Sequence, residues 1–288
     1  MSGTADDVAS LEQALQASRD ELASLRAELE ETNRGVVALY AELDAQAEQL
    51  REATELKSRF LAYMSHEFRT PINAIRSIAR LLIDRVDGPL TEEQERQVGF
   101  IQSSATEFAE MVDDLLDLAK VEAGRVEISP AWFEMVDLFS ALRGMFKPVL
   151  TNPEVHLVFE EPGDVPRLFS DDRKLSQILR NYISNALKFT PRGEVRVGAS
   201  RDGELVTFSV SDTGVGIAPE FLGTLFEDFT QVKSPLQKRL HGTGLGLALS
   251  RRLAHLLGGT VGVRSEPGRG STFWVTIPIR LGGAQGDA

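Results

Sequence analysis

No cysteine occurs in the 288 residues, which excludes disulfides and thiolate metal sites. Histidine is scarce too, and four widely spaced copies do not suggest a metal cluster. Basic residues are outnumbered, 31 against 43 acidic, leaving a net charge of −12. A nucleic-acid surface is therefore not expected, because phosphate backbones are bound by clustered Lys and Arg. No apolar run approaches the ~20 residues that span a bilayer. Residues 1–10 lack a basic stretch followed by an apolar core, so no signal peptide is expected either. The cytoplasm is then the expected location, with any external signal carried to the chain by something else. What is present, 42% hydrophobic and 26% charged residues, fits a folded, water-soluble protein. The length allows roughly two domains.

Residues 11–56 contain no proline and one glycine, Gly35. Leu11, Leu15, Ser18, Leu22, Leu25, Leu29, Thr32, Val36, Leu39, Leu43, Gln46 and Leu50 recur there at alternating steps of four and three. That sustained heptad predicts a left-handed coiled coil. A single amphipathic helix lying on a globular domain is the other reading, but such a helix would carry a wider apolar face. Ser18, Thr32 and Gln46 are polar seam positions that weaken it. After Leu50 the apolar positions are Ala53, Leu56 and Phe60, three-three-four where three-four is due. Such an irregularity overwinds a coiled coil locally.

Residues 55–126 read as two helices around Asp87-Gly88-Pro89-Leu90-Thr91. Gly-Pro breaks the helix, and Thr91 before Glu92 and Glu93 is the next N-cap. The expected core faces are Met64, Phe68, Ile75 and Leu82 on the first helix. On the second they are Val98, Ile101, Ala105, Phe108, Val112 and Leu115. Two stripes on one hairpin leave apolar surface uncovered unless two copies pair, which points to a dimeric four-helix bundle. Residues 128–279 alternate strands (155–159, 195–199, 206–210, 260–264, 273–277) with helices (175–189, 245–257), an α/β sandwich. The tail after Leu281 is rich in Gly and Ala and is expected to fray.

Within the first helix stands Ser65-His66-Glu67-Phe68-Arg69-Thr70-Pro71. His66 lies about 200° around the helix from Met64, hence away from the core face. An exposed histidine alone is just a surface residue, but its neighbours change that reading. Glu67 is placed to take the proton of one ring nitrogen, leaving the other as a nucleophile, at an ordinary imidazole pKa of about 6.5. Pro71 removes a helical donor and crowds the preceding turn, so a bend is expected there. This stretch resembles the dimerisation and histidine phosphotransfer domain of sensor histidine kinases, through His-Glu-x-x-Thr-Pro with Arg69 between. The resemblance implies that His66 is phosphorylated, that Glu67 is its general base, and that Thr70 orients water when a partner is dephosphorylated.

Four later segments follow in order. Asn181, Asn185 and Lys188 share one helical face; amide oxygens suit Mg²⁺, and a polar solvated face is the plain alternative. Asp212-Thr213-Gly214-Val215-Gly216 follows a strand, where a carboxylate can accept from an exocyclic amine, although turns use the same residues. Phe226-Glu227-Asp228-Phe229 reads by itself as a loop anchor. Gly242-Thr243-Gly244-Leu245-Gly246 opens a helix, offering backbone donors to phosphate. Dinucleotide-fold and Walker phosphate loops do not fit, since these glycines follow a long loop and precede a late helix where the former places them after its first strand, and no Gly-Lys-Ser/Thr follows for the latter.

Together the four look like the ATP-binding domain shared by histidine kinases and the gyrase, Hsp90 and MutL ATPases. The resemblance implies ATP and Mg²⁺ as cofactors, Asn185 on the metal, Asn181 and Lys188 facing phosphates, and Asp212 reading adenine. It implies that Gly214, Gly216, Gly242, Thr243, Gly244, Leu245 and Gly246 shape the pocket and lid, with Thr272 at the adenine end. Lys238 and Arg239, with a weaker claim for His241, sit in the expected lid and either contact phosphate or belong to a solvated loop. His156 and His255 read as structural or surface residues. Related ATPases carry Glu at the place of Asn181 as the base for water attack. Asn cannot take a proton, so phosphate is expected to go to His66 rather than to water.

The expected organisation is a coiled-coil signalling helix (1–54), a dimerisation and phosphotransfer hairpin (55–126), an α/β ATP-binding domain (127–281) and a flexible tail (282–288). The expected function is that of a homodimeric protein-histidine kinase. It would pass phosphate from His66 to an aspartate of a separate response regulator receiver domain and act as a phosphatase towards it. The coiled coil would link it to an upstream sensor. The alternatives are a nucleotide-binding scaffold without phosphotransfer, and an ATPase or serine kinase sharing only the nucleotide domain.

Overall fold

The computed structural model describes residues 3–86, 88–150, 152–161, 163–231 and 244–282. The chain divides into two compact units, Met1–Lys57 and Ser58–Ala288. Helix α1 (Gly3–Ile83) supplies all of the first that is described. There Leu15, Leu22, Leu25, Leu29, Val36, Leu39, Leu43 and Leu50 are all exposed in a single copy. With Leu11, whose side chain lies outside the described ones, they are the apolar members of the heptad stripe. No described helix is long and apolar enough to cross a membrane.

In the second unit the rest of α1 pairs with α2 (Glu92–Glu122). The expected start of α2 is correct and has a full capping box: Gln94 N–H donates to the Thr91 hydroxyl, and the Gln94 side chain accepts from the Thr91 N–H. Such reciprocal capping satisfies two donors that the first turn cannot. α1 continues through Pro71.

Of the expected hairpin core, Val98, Ala105 and Val112 of α2 are buried as expected, while on α1 the buried residues are Ile72 and Ala79, with Ile72 packed against Ala105 and Val112. Phe68, Ile75, Ile101 and Phe108 are exposed, and Met64, Leu82 and Leu115 are only half-buried. Phe68, Ile72, Ile75 and Ala79 lie within about 60° of one another around α1, a single stripe; Ile72 and Ala79 are its covered members, and the Phe68 ring stands against Phe108 of α2 with centroids 5.9 Å apart.

After the hairpin come β1 (Ala131–Phe133), α3 (Met135–Phe146), β2 (Val155–Phe159), β3 (Leu168–Ser170), α4 (Asp172–Phe189), β4 (Gly193–Asp202), β5 (Leu205–Asp212), α5 (Pro219–Leu222), α6 (Gly246–Leu256), β6 (Thr260–Glu266) and β7 (Gly270–Pro278). The main sheet has the order β2-β4-β5-β7-β6, with β2 parallel to β4 and the other pairs antiparallel. β1 and β3 form a separate antiparallel pair. All five expected strands and both expected helices are present. The elements not anticipated are β1, β3, α3 and the one-turn α5; β1, β3 and α5, of three or four residues, are too short to display a period, whereas α3 displays one in Met135, Leu138, Phe139, Leu142 and Phe146, all buried.

Burial alternates along the central strands. Val195 and Val197, then Val206, Phe208 and Val210, then Phe273, Val275 and Ile277 point into the core. They meet Leu175, Ile178, Leu179, Tyr182 and Ile183 of α4, together with Leu249 and Leu253 of α6. Alternation is what a sheet covered on one face requires, and the result is a two-layer α/β sandwich. Asp171 caps α4, accepting from the N–H groups of Arg173 and Lys174, and also from Ser129 in the segment that follows the hairpin.

Candidate nucleotide and phosphoacceptor sites

The buried face of α4 fixes what its other face can present. With Leu175, Ile178, Leu179, Tyr182, Ile183 and Ala186 turned to the sheet, Asn181, Asn185 and Lys188 lie together at the edge of the helix, each half-buried. The amide of Asn185 donates to the Asn181 carboxamide oxygen at 3.3 Å, leaving the Asn185 carbonyl oxygen as an acceptor or metal ligand. The Asn181 amide donates to the Ser250 hydroxyl of α6 at 2.9 Å. Ser250 in turn donates to the Gly246 carbonyl, 2.8 Å away, in the first turn of α6.

That first turn packs directly on Asn181. A Cβ at Gly246 would overlap the Asn181 carboxamide, so any other residue there would push that carboxamide out of its hydrogen bonds to Asn185 and Ser250. No side chain caps α6, so its first-turn N–H groups suit an anionic ligand. Gly244 adopts φ +70 with its backbone against Phe229 and Thr230, tying the glycine turn to the aromatic segment. Lys238, Arg239, His241, Gly242 and Thr243 lie outside the described residues.

Asp212 ends β5, half-buried, its carboxylate accepting from the Gly214 N–H at 2.8 Å. Burial pushes its pKa up, opposed by backbone N–H groups of Gly214 and Ser271. The turn after it is held on both sides: Val215 donates to the Phe189 carbonyl at the end of α4, and Ile217 donates to Ser265 of β6. Gly214 lies too close to the Phe189 carbonyl for a side chain, and Gly216, at φ +67, too close to Glu266. Thr272 stands opposite Ser211 in the β5–β7 register, their hydroxyls 2.9 Å apart.

Lys188 has its pKa lowered by burial, while Glu107 and Glu110 of α2 act against that shift. Among the described residues no group of His, Cys, Asp and Glu forms a protein metal cage. One amide oxygen near the uncapped first turn of α6 nevertheless suits Mg²⁺, which keeps waters and substrate oxygens as most of its ligands.

His66 lies within α1, but its side chain is outside the described ones. Glu67 and Thr70 flank it on exposed positions. One turn on, Arg69 reaches Asp113 of α2 at 2.5 Å, joining the two helices beside the phosphoacceptor segment. His156 and His255 are exposed as expected, and an imidazole nitrogen of His255 stands 3.2 Å from the Gly259 carbonyl.

Two site residues escape sequence reasoning. Ser250 is a polar residue on the apolar face of α6, four positions after Gly246, and that misfit is its signal. Gly270, at φ +107, leaves room for the Asp212 carbonyl, where a Cβ would collide. Its only signal is its place just before Ser271 and Thr272.

Comparison with known proteins agrees with this arrangement. Residues 56–124 match the His Kinase A (phospho-acceptor) domain, and residues 170–281 match the histidine kinase-, DNA gyrase B- and HSP90-like ATPase family. Over 240 residues the chain is 38% identical to the autoinducer 2 sensor kinase/phosphatase LuxQ of Vibrio parahaemolyticus, covering 81% of this chain and 28% of that protein. It is 36% identical over 243 residues to the sensor protein GacS of Pseudomonas syringae, covering 82% and 26%. The chain thus spans little more than a quarter of these relatives. Among solved structures, full-length ShkA in complex with AMPPNP superposes with a TM-score of 0.62 at 36% identity, over 76% of this chain and 45% of that one.

Proposed function

From a chain that belongs to the two-component sensor histidine kinases, we propose transfer of the γ-phosphoryl group of ATP to its own His66. Onward transfer goes to an aspartate of a separate receiver domain. The observation that carries the reading is the joint between α4 and α6, where Asn181, Asn185 and Lys188 are set against an uncapped, glycine-opened helix.

In this reading an imidazole nitrogen of His66 forms a bond to the γ-phosphorus as the β–γ bridging P–O bond breaks and ADP departs. Glu67 receives the other imidazole proton. Such transfer needs position and charge stabilisation more than covalent help from the protein. Asn185 holds Mg²⁺, which when bound neutralises charge on the phosphates. Asn181 keeps the first turn of α6 in place, Lys188 faces the phosphates, and Asp212 accepts from the adenine amine, with Thr272 at its side. Gly214 and Gly216 shape the pocket; Gly244, Leu245 and Gly246 bring backbone to the phosphates. Thr70 orients water when phosphate leaves the receiver.

The same reading makes the protein a cytoplasmic homodimer. Residues 1–54 form its coiled coil and take a signal from an upstream sensor. Residues 55–126 pair into the bundle and residues 127–281 bind ATP; residues 283–288 of the expected flexible tail lie outside the described residues. The test is incubation with γ-labelled ATP and receiver proteins encoded nearby. Acid-labile label on wild type, passed to a receiver and absent from a His66→Ala variant that still binds ATP, is the expected result. Label persisting in His66→Ala, or acid-stable label on Ser or Thr, rejects it.

A further inference from the structure

Arg252 stands at a joint between the helical hairpin and the ATP-binding unit. It lies on α6, and its guanidinium reaches two carboxylates at once. One nitrogen meets Glu122, the last residue of α2, at 2.7 Å. Another meets Asp228, inside Phe226-Glu227-Asp228-Phe229, at 2.8 Å. Beside this pair Gln177 of α4 donates to Asp117 of α2 at 2.9 Å, and Val121 of α2 packs on the core to which Leu253 belongs. Apart from the pair with Asp228, each of these contacts falls on α2, whereas the phosphoacceptor is on α1.

Further along α2 the carboxylates of Glu107 and Glu110 act on the Lys188 ammonium. Lys188, on the α4 face assigned above to the phosphates, thus lies in the field of two acids of the hairpin. A triphosphate and these acids compete for the same cation and repel each other. The joint is also weakly held. Its ion-pair side chains are 28–36% exposed, and pairs so placed shift an equilibrium by no more than about fivefold. A cavity of about 160 Å³, lined in part by Asp117, Val121, Gln177 and Leu253, lies within it. The two surfaces therefore do not close completely.

We propose that Arg252, paired with Glu122, is a latch that rests the ATP-binding unit on α2, and that nucleotide and latch disfavour each other. The proposal rests on the reading of the α4 face as the phosphate site. Reciprocity is required: if nucleotide weakens the latch, the latch weakens nucleotide binding by the same factor. Arg252 is a positioning residue here, acting on the transfer through the placement of α4 and α6.

Because the chain has no cysteine, Asp117→Cys with Gln177→Cys supplies its only two thiols. In the full chain, a short bis-maleimide should join them within one subunit in the absence of nucleotide. Mg²⁺ with a non-hydrolysable ATP analogue should slow that reaction by about two- to fivefold, and so should Glu122→Gln. Crosslinking indifferent to both overturns the latch, whether or not the protein labels itself. With Asp117 and Gln177 intact, Glu122→Gln should raise nucleotide affinity and, with ATP well below saturation, the initial rate of His66 labelling by the same factor, while Glu122→Asp stays nearer to wild type. An unchanged or lower rate in Glu122→Gln, beside an active wild type, also overturns it. A wild type that takes no label counts instead against the kinase reading, and the crosslinking arm still decides the latch.

Discussion

Asn181 and Ser250 are 69 positions apart in sequence, and the amide of one donates to the hydroxyl of the other at 2.9 Å. This contact makes α4 and α6 a single support for the nucleotide site. Asn181 receives Asn185 on its oxygen and gives its amide to Ser250, which is itself anchored to the Gly246 carbonyl. A polar chain of this kind is rigid only when every member is satisfied.

Gly246→Ala should therefore damage the site from within. Its methyl group would overlap the Asn181 carboxamide, and overpacking of this sort costs about 1–3 kcal/mol. Calorimetric titration with Mg-ATP should show affinity about 10- to 100-fold weaker. Ser250→Ala, which leaves a buried amide without its partner at ~1–3 kcal/mol, should move affinity in the same direction. Wild-type affinity in both variants would mean that Asn181 does not hold the glycine turn.

Asp212 gives a pH signature. Burial raises its carboxyl pKa above the ordinary 3.8, so the folded state binds this proton more tightly than the unfolded chain. Stability then falls as pH rises from about that ordinary value through the raised one, and ionised Asp212 destabilises the empty protein at neutral pH. Asp212→Asn should raise the melting temperature at pH 7, with the gain disappearing below about pH 4, while ATP affinity drops. Thermal scans across pH without nucleotide, paired with titrations at pH 7, test both halves. A variant that gains no stability but binds ATP normally would remove Asp212 from the adenine site.

Thr70 separates two activities. It lies one helical turn from His66 and is exposed. Thr70→Ala should leave initial His66 labelling within about twofold, as surface changes usually do, and slow dephosphorylation of the receiver. The comparison is receiver-phosphate decay with each protein present. Equal decay, where the wild type measurably accelerates it, ends the role.

The stripe of unit one makes the last prediction. Its spacing runs four and three to Leu50, then breaks at Ala53, Leu56 and Phe60, and such a break overwinds a coiled coil. Deleting one residue between positions 43 and 56 should change His66 labelling strongly. Deleting a full heptad between 11 and 39 should change it little. Both variants would be purified as dimers and labelled side by side; equal activity reduces the coiled coil to a dimerisation strap.

Sequence alone determined the periods and the punctuation. The heptad, the Thr91 cap, the five strands and the order of the four nucleotide-site segments are local patterns, and a local pattern is written in neighbouring residues. Which members of the α1 stripe are covered is a different kind of fact. Phe68, Ile72, Ile75 and Ala79 share one helical face in sequence, and only the position of α2 leaves Ile72 and Ala79 buried in a single copy while Phe68 and Ile75 stay exposed. The same holds at the site. Asn181, Asn185 and Lys188 are visible on one helical face, but the partnership of Asn181 with Ser250, the room Gly270 leaves for Asp212, and the reach of Arg252 to Glu122 join residues far apart in the chain. Tertiary structure decided those, because a hydrogen bond or a steric limit depends on distance in space, and separation along the chain carries no record of it.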